Sequence, residues 1–396
     1  MAEANERVLI VGAGPVGLVA ANSLADAGVP VTVIEASPEL PRDLRASTFH
    51  PPTLDMLARF GVTGDLIARG LVCPTWQFRD RATGVVATFD LGLLAGETDH
   101  PYRLQCEQWK LTETLRARLE GRAEVIYGAE ADGFTQDGDG VTLHLGGPEP
   151  RSLRGRWLIG ADGARSVIRR ETGIAFEGMT IPEIFLTMST PHRFEETIPD
   201  LAPIAYISDP DEWLVLLSTP TLWRVLLPTD PGLSEEEMKA PERIEARLQA
   251  VCPKPGPYPV THATAYRVHE RVAQSYVHGR VLLAGDAAHL NNPLGGMGMN
   301  GGIHDAFNLA EKLTAVWNGA DASLMQDYGA ERRRVALEAV QAQTMRNRRM
   351  LNERDPAARA AFHDELRRTV ADPATHKAFL MRSSMIQSLR DLAAAA

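Results

Sequence analysis

The sequence predicts an α/β fold with a mostly antiparallel β-sheet inserted into it and a helical C-terminus. Three observations support this prediction. Near the start, an apolar run, a glycine-rich turn, a helical stretch and a second apolar run form a βαβ unit. Strand-like segments dominate from about residue 184 to residue 267, and helical periodicity dominates after residue 302.

The individual elements follow from apolar spacing and from turn residues. Strands are expected at 8–11, 31–34, 141–146 and 156–160, and a hairpin is expected at 76–91. Four strand-like pieces, IFLTM, IAYIS, WLVLLS and LWRVLL, predict the inserted sheet. Helices are expected at 15–27, 54–70 with one break at a glycine, 108–119, 302–317 and 322–354, the last ended by Asp355-Pro356. The final forty residues read as helical but contain no recognisable motif.

Bulk composition excludes several classes of function. The chain of 396 residues has a formal net charge of -10, which would repel a phosphate backbone, so no nucleic-acid partner is expected. Its three cysteines, Cys73, Cys106 and Cys252, lack metal-ligand spacing, so neither a metal site nor a disulfide framework is expected. No segment approaches the roughly 18 apolar residues of a membrane span, and no signal peptide is visible. A cytoplasmic protein without membrane insertion is therefore expected.

A glycine-rich turn joins the first strand to the first helix. It consists of Gly12, Ala13, Gly14, Pro15, Val16 and Gly17. Gly12 allows a tight turn, Gly14 lets a pyrophosphate approach the backbone, and Gly17 allows close helix packing. Glu35 ends the next strand, where its carboxylate can accept hydrogen bonds from an adenosine ribose. The spacing therefore predicts a Rossmann-like dinucleotide-binding domain.

A second glycine-rich loop, at residues 281–302, reads VLLAGDAAHLNNPLGGMGMNGG. An NAD site of the Rossmann type needs no such loop, whereas FAD has a ribityl arm and an isoalloxazine ring beyond its pyrophosphate. Asp286 can hold a ribityl hydroxyl, and a helix predicted from about Gly302 would point its positive N-terminus at the flavin. The loop therefore predicts FAD as the cofactor. The residues expected to contact it are Gly285, Asp286, Pro293, Gly298, Met299 and Asn300.

With these motifs the chain resembles the single-component FAD-dependent aromatic hydroxylases, the p-hydroxybenzoate hydroxylase-like group A flavoprotein monooxygenases. Three family motifs occur in order: GAGPVG at 12–17, GADGARSVIRR at 160–170 and AGDAAHLNNPLGGMGMN at 284–300. The resemblance implies that NAD(P)H reduces the FAD and that O2 then forms a flavin C4a-hydroperoxide. It further implies that this species hydroxylates a small aromatic substrate, a phenol or a hydroxypyridine.

The resemblance also assigns roles to single residues. Arg45 is expected at the FAD pyrophosphate, Gln105 at the cofactor, and Asp162 in the segment that serves both FAD and the nicotinamide. Tyr206, in AYISDPDEWLVLLS, is the predicted catalytic base, with an interior structural tyrosine as the alternative. His50 is the second candidate, since a pKa near neutrality would suit a base, with a structural histidine as the alternative.

The resemblance further predicts how the chain is divided. The FAD-binding parts are expected at 1–73, 99–176 and 270–345, the substrate-domain parts at 74–98 and 177–269, and C-terminal helices at 346–396. A homodimer is one expectation for the assembly. Two alternative functions stay open: a flavoprotein reductase or dehydrogenase without oxygen transfer, and a non-catalytic flavin-binding regulator.

Overall fold

The structure is a computed structural model that describes residues 6–42, 46–147 and 150–395. These ranges contain twenty β-strands and thirteen α-helices, numbered in chain order. The strands are β1 Val8–Val11, β2 Val31–Ile34, β3 Thr48–Phe49, β4 Leu71–Cys73, β5 Thr75–Asp80, β6 Gly84–Asp90, β7 Arg103–Gln105, β8 Glu124–Ile126, β9 Ala131–Gln136, β10 Val141–Leu145, β11 Arg151–Gly155, β12 Trp157–Gly160, β13 Phe176–Thr190, β14 Ile204–Ser208, β15 Leu214–Ser218, β16 Trp223–Thr229, β17 His262–Ala273, β18 Val277–His278, β19 Val281–Leu283 and β20 His289–Leu290. The helices are α1 Pro15–Asp26, α2 Pro51–Ala58, α3 Thr63–Arg69, α4 Gln108–Arg118, α5 Val167–Thr172, α6 Glu235–Met238, α7 Pro241–Val251, α8 Gly298–Trp317, α9 Leu324–Val335, α10 Ala342–Leu351, α11 Pro356–Ala371, α12 Pro373–Ser383 and α13 Ile386–Ala395.

A six-stranded sheet holds the first glycine-rich turn. Its strand order is β18-β19-β12-β1-β2-β8, and all neighbours run parallel except β18 and β19. Every residue of β1 is buried, because α1 packs on this sheet and the small antiparallel sheet β11-β10-β9 packs against it as well. Burial on both faces explains why its strands are continuous apolar runs rather than alternating ones. The predicted Rossmann-like α/β unit is confirmed.

An eight-stranded sheet forms the predicted insertion. Its order is β20-β17-β13-β16-β15-β14-β5-β6, and β14 and β5 are its one parallel pair within the described ranges. Side chains alternate between two faces, as strand geometry requires. In β14, Ile204 and Tyr206 join one buried cluster, while Ala205 and Ile207 join the cluster that contains Leu248 of α7. Both faces are therefore covered, and the mostly antiparallel inserted sheet is confirmed.

The C-terminal helices complete the core on one face of this sheet. Leu351 of α10, Leu366 of α11 and Phe379 of α12 belong to the same buried cluster as Trp76 and Tyr206. The sequence predicts helices here but no role for them. The structure places them over one face of the eight-stranded sheet. None of the described helices is both long and apolar enough to cross a membrane.

Two helices differ from their predicted bounds. Helix α8 begins at Gly298 rather than near Gly302, because glycine is a weak helix former and its presence hides the first turn in the sequence. Packing requires a glycine at position 302, where a Cβ atom would lie 2.6 Å from Cγ2 of Val16. The long helix expected at 322–354 is divided into α9 and α10 by a π-helical turn, Ala336–Gln341.

Candidate active site

The turn after β1 has the shape that a pyrophosphate needs. Gly12 has a φ of 106°, and a Cβ atom there would overlap the carbonyl oxygen of Ala161. A Cβ atom on Gly17 would overlap the carbonyl oxygen of Gly12, so the turn and α1 pack too closely for any side chain. At Gly14 a Cβ atom would meet nothing within 4 Å, and no side chain caps the first turn of α1. The unpaired N–H groups of this helix start can therefore bind an anion.

Glu35 is held beside this turn by two backbone amides. Its carboxylate oxygens accept hydrogen bonds from the N–H of Ala13 at 2.8 Å and from the N–H of Ser37 at 2.9 Å. Each oxygen keeps a further lone pair that can accept a ribose hydroxyl. The geometry fits the predicted role of Glu35.

The two glycine-rich segments meet at Val16. A Cβ atom on Gly285, which has a φ of 61°, would lie 2.8 Å from Cγ2 of Val16, and Gly302 is equally close to that side chain. The glycines therefore let the second loop and the start of α1 touch. Asp286 follows directly and has an exposed side chain. The sequence separates these segments by more than 250 residues, and the fold joins them into one cleft.

Asp305 of α8 holds the second glycine-rich loop in place. One carboxylate oxygen accepts hydrogen bonds from the N–H of Gly285 at 3.1 Å and from Nε2 of His289 at 2.8 Å. The other accepts one from Nε of Arg332 at 2.7 Å. Burial alone would raise the pKa of Asp305, but the neighbouring His289 and Arg332 lower it well below its usual range. This ion-pair network could not be predicted from the sequence, because its members are separated along the chain.

The first turn of α8 presents backbone N–H groups to the cleft. Met297 at the helix start provides no side-chain cap, and the first N–H bonded within the helix is that of Gly301, which pairs with the carbonyl of Met297. The N–H groups of Gly298, Met299 and Asn300 therefore remain for a ligand, since the first turn of any helix lacks internal acceptors. Pro293 lies at the start of the preceding turn, where its carbonyl accepts a hydrogen bond from Gly296.

The side chain of Asn300 forms hydrogen bonds within the protein. Its Nδ2 donates to the carbonyls of Thr48 at 2.9 Å and Gly296 at 2.6 Å, and its Oδ1 accepts from the N–H of His50. Asn300 thus ties the second loop to the strand that precedes α2. Its backbone, rather than its side chain, is the part that can face a flavin.

Gln105 is fully buried and positions the same strand. Its Oε1 accepts a hydrogen bond from the Ser47 hydroxyl, and its Nε2 donates to the Thr48 hydroxyl, both at 2.9 Å. Its burial follows from the position of β7, which lies between β3 and β4. Arg45 lies outside the described residues. The predicted contact of Gln105 with FAD remains a prediction.

Asp162, in the second family motif, supports the start of α5, whose N-cap residue is Ser166. Its Oδ1 accepts a hydrogen bond from the Ser166 hydroxyl at 2.5 Å, and its Oδ2 accepts one from the N–H of Ile168 at 3.2 Å. Burial raises the pKa of this carboxyl group, while the hydrogen bonds oppose that shift. In the structure, Asp162 stabilises the loop that leads into α5. Its predicted place in the segment that contacts FAD and the nicotinamide remains a prediction.

A pocket lies between the second glycine-rich loop and the eight-stranded sheet. Gly295 and Met297 form the loop side, and Trp76, Phe78 and Tyr206 form the sheet side. The C-terminal helices also contribute to the pocket wall, and this contribution was not predicted from the sequence. It consists of Gln343, Asn347, Met350, Leu351, Leu366, Phe379 and Ser383.

Arg103 is the charged residue of this pocket that sequence reasoning missed. It is 2% exposed, and its guanidinium carbon lies 5.0 Å from the centre of the Trp76 ring. Burial lowers the pKa of Arg103, and the neighbouring Tyr206 hydroxyl and Cys73 thiol oppose that shift. In the sequence, Arg103 directly precedes Leu104 in a short strand, and this position by itself does not indicate a functional role.

His50 is unsuited to the role of a base with a near-neutral pKa. It is completely buried, and its Nε2 lies 2.8 Å from the carbonyl oxygen of Gly295. Burial, reinforced by the positive charge of Arg103, lowers the pKa of His50 well below 6.5. The expectation of a pKa near neutrality is therefore wrong. His50 fits its alternative reading, a structural histidine that fixes the second loop.

Comparison with known proteins identifies similar sequences. Residues 5–343 match the family model described as FAD binding domain. The chain is 36% identical over 387 residues to para-nitrophenol 4-monooxygenase of Pseudomonas sp. (strain WBC-3), covering 96% of this chain and 95% of that one. It is 35% identical over 356 residues to 6-hydroxy-3-succinoylpyridine 3-monooxygenase HspB of Pseudomonas putida (strain DSM 28022 / S16), covering 89% and 90%.

Solved structures show the same relationship. The crystal structure of p-nitrophenol 4-monooxygenase PnpA from Pseudomonas putida DLL-E4 superposes with a TM-score of 0.91 at 34% identity, covering 97% of this chain and 98% of that one. A ternary complex of aklavinone-11 hydroxylase with FAD and aklavinone superposes with a TM-score of 0.78 at 29% identity, covering 89% and 70%.

Proposed function

Because the chain belongs to the p-hydroxybenzoate hydroxylase-like FAD-dependent aromatic hydroxylases, we propose that its substrate is a small, single-ring phenol or hydroxypyridine. It is a monooxygenase that uses FAD, NAD(P)H and O2. By their names, the two relatives act on para-nitrophenol and on 6-hydroxy-3-succinoylpyridine. One observation carries the proposal: the pocket beside Gly295 places Tyr206 and Arg103 next to aromatic and aliphatic side chains.

The chain's own residues would hold the cofactor in three places. The turn at 12–17 and Glu35 would bind the pyrophosphate and the adenosine ribose, and Asp286 would bind the ribityl chain. The first turn of α8 would face the flavin ring, where its positive dipole end stabilises negative charge. When bound, FAD takes a hydride from NAD(P)H and activates O2 for transfer of one oxygen atom to the ring.

Tyr206 is the proposed acid–base group for the substrate. It lines the pocket on the same sheet face as Trp76, whose ring meets the Tyr206 ring edge-on at 5.6 Å. By taking the proton of a ring hydroxyl, Tyr206 would raise the electron density of the carbon that is hydroxylated.

Oxygen incorporation tests the proposed function. The holoenzyme is incubated with a panel of single-ring phenols and hydroxypyridines, and NAD(P)H oxidation and product mass are measured under ¹⁸O2. We expect one substrate class to accelerate NAD(P)H oxidation and to gain one labelled oxygen atom. Accelerated oxidation without a labelled product would support the reductase alternative. Bound FAD with neither response would support the non-catalytic regulator.

Location, assembly and domain bounds are proposals as well. We place the protein in the cytoplasm, where NAD(P)H is abundant and thiols stay reduced, and all three of its cysteines are free and buried. Light scattering after size-exclusion chromatography tests the proposed homodimer. The proposed domain bounds are supported by the two main sheets, which separate at the predicted segments apart from β20 and the last residues of β17.

A further inference from the structure

The guanidinium group of Arg103 is buried in the substrate pocket without an acidic partner. Its Nε and Nη1 atoms have no hydrogen-bond acceptor among the described residues, and no ion pair joins it to a described carboxylate. Two other buried arginines do have hydrogen-bond acceptors. Arg332 pairs with Asp305, and Arg79 donates to the carbonyls of Asp200 and Pro199. A buried cation without a partner is costly, so its retention at a ligand pocket points to a ligand.

The titratable groups that face Arg103 leave its charge uncompensated. Burial raises the pKa of the Cys73 thiol on β4 to about 12, so the thiol is neutral. His50 at the start of α2 is neutral as well, because burial and Arg103 lower its pKa. Tyr206 on β14 provides a hydroxyl rather than a carboxylate. Among the described residues that line the pocket, Arg103 is the one with a formal charge.

We propose that Arg103 binds the ring oxygen of the substrate as a phenolate, beside Tyr206, and so selects phenols with electron-withdrawing ring substituents. Such phenols are ionised near neutral pH. When a neutral phenol binds, its O–H bond breaks, the oxygen keeps the electron pair, and the proton leaves to water through the Tyr206 hydroxyl. This inference rests on the proposed function, because it names the substrate class of the same pocket.

The chemistry of the two groups supports this assignment. Guanidinium N–H groups form strong hydrogen bonds to oxyanions, and the low dielectric of a buried site strengthens the attraction. The guanidinium carbon of Arg103 lies 5.0 Å from the centre of the Trp76 ring. This cation–π contact orients the guanidinium group before a ligand binds. A neutral aromatic ether of the same shape would gain the apolar contacts of the pocket but not this charge pairing.

Binding of an ionisable ligand and of its methyl ether tests the proposal. Holoenzyme carrying Arg103→Met or Arg103→Lys is titrated with para-nitrophenol and with para-nitroanisole, and the flavin spectrum is followed. For Arg103→Met, we expect para-nitrophenol to bind roughly 10- to 100-fold more weakly, while binding of para-nitroanisole changes little. Arg103→Lys should keep part of the preference. In the wild type, para-nitrophenol should bind more tightly as pH rises through the pKa of the ligand, and this dependence should be lost in Arg103→Met.

Arg79→Met is the matched control, since Arg79 is also buried but contacts backbone carbonyls outside the pocket. It should leave the preference for para-nitrophenol unchanged. Flavin content and circular dichroism report folding for each variant. Equal weakening of both ligands in Arg103→Met, or unchanged phenol binding with full flavin content, would overturn the inference. A wild type that hydroxylates phenols while Arg103→Met binds them normally would refute the inference alone, whereas a wild type that hydroxylates nothing would refute the proposed function.

Discussion

At the scale of single residues, the Tyr206 hydroxyl tests the proposed proton transfer. Tyr206→Phe should keep FAD and substrate binding but slow hydroxylation by about 10²–10⁴-fold, because the ring oxygen loses its acid–base partner. Reducing equivalents should then appear as hydrogen peroxide, which a peroxidase-coupled assay measures. Tyr258→Phe is a suitable control, since that hydroxyl donates to the Cys252 carbonyl on the other side of the sheet. Full coupling in Tyr206→Phe would exclude the assigned role.

Asp305 is the residue on which the second loop depends. Asp305→Asn should destabilise the fold by about 3–5 kcal/mol, because Arg332 would be left buried without its charge partner. It should also weaken FAD retention, since the N–H of Gly285 loses a carboxylate acceptor. Urea unfolding and a flavin-release titration measure the two effects. Asp364→Asn, which breaks an exposed ion pair with Arg367, should change stability by less than about 1 kcal/mol.

The same pair sets a pH dependence. The pKa of Asp305 is lower in the folded protein than in the unfolded chain, where an aspartate has a pKa of about 3.9. Its ion pairs therefore stabilise the fold fully above about pH 4, and this contribution is lost as the pH falls further. Acid unfolding should consequently shift to higher pH in any variant that removes Arg332.

At the scale of elements, the glycines of the first turn separate folding from cofactor binding. Gly14→Ala should fold normally, because a Cβ atom there meets no protein atom within 4 Å and the backbone φ of -71° is open to alanine. It should nevertheless bind FAD more weakly, since the methyl group occupies the side from which a pyrophosphate approaches. Thermal unfolding and flavin content measure the two properties.

Gly17→Ala is the matched comparison. Its Cβ atom would overlap the carbonyl oxygen of Gly12, so α1 must move away from β1. We expect this variant to lose stability together with FAD binding. If Gly14→Ala instead lost as much stability as Gly17→Ala, or kept full FAD affinity, the placement of the pyrophosphate would be wrong.

At the scale of the whole molecule, closure of the pocket depends on the C-terminal helices. Phe379 stacks on Phe89 with a ring separation of 4.7 Å and packs near Trp76. Phe379→Ala should cost about 3–5 kcal/mol of stability and admit water to the pocket. Hydroxylation should become uncoupled, with more peroxide formed for each NAD(P)H oxidised.

A second buried phenylalanine distinguishes pocket opening from general destabilisation. Phe194 is fully buried in the cluster on the opposite face of the eight-stranded sheet. Phe194→Ala should reduce the unfolding free energy by a similar amount and leave the coupling ratio unchanged. Equal uncoupling in both variants would show that loss of stability, rather than pocket closure, controls coupling.

The sequence by itself determined the features whose physical cause is local. The turn at 12–17 requires glycine at positions 12 and 17 because no Cβ atom fits there, and Glu35 follows at the end of the adjacent strand, so both could be predicted from spacing. The apolar, strand-like segments predicted β14 and its neighbours in the same way. The three family motifs then indicated FAD and aromatic hydroxylation, and comparison with known proteins confirmed both.

Tertiary structure alone decided the properties that arise from burial between distant segments. Arg103 looks like an ordinary strand residue, and only the packing of β7 behind Trp76 makes it an unpaired cation in a pocket. His50 loses its near-neutral pKa for the same reason, because a loop residue in the sequence becomes fully buried in the fold. The sequence of the C-terminal helices indicates no role for them, since their sheet-side partners in the pocket wall, Trp76, Phe78 and Tyr206, lie more than 100 residues away. Charge and desolvation depend on all neighbours at once, and the order of residues along the chain does not specify those neighbours.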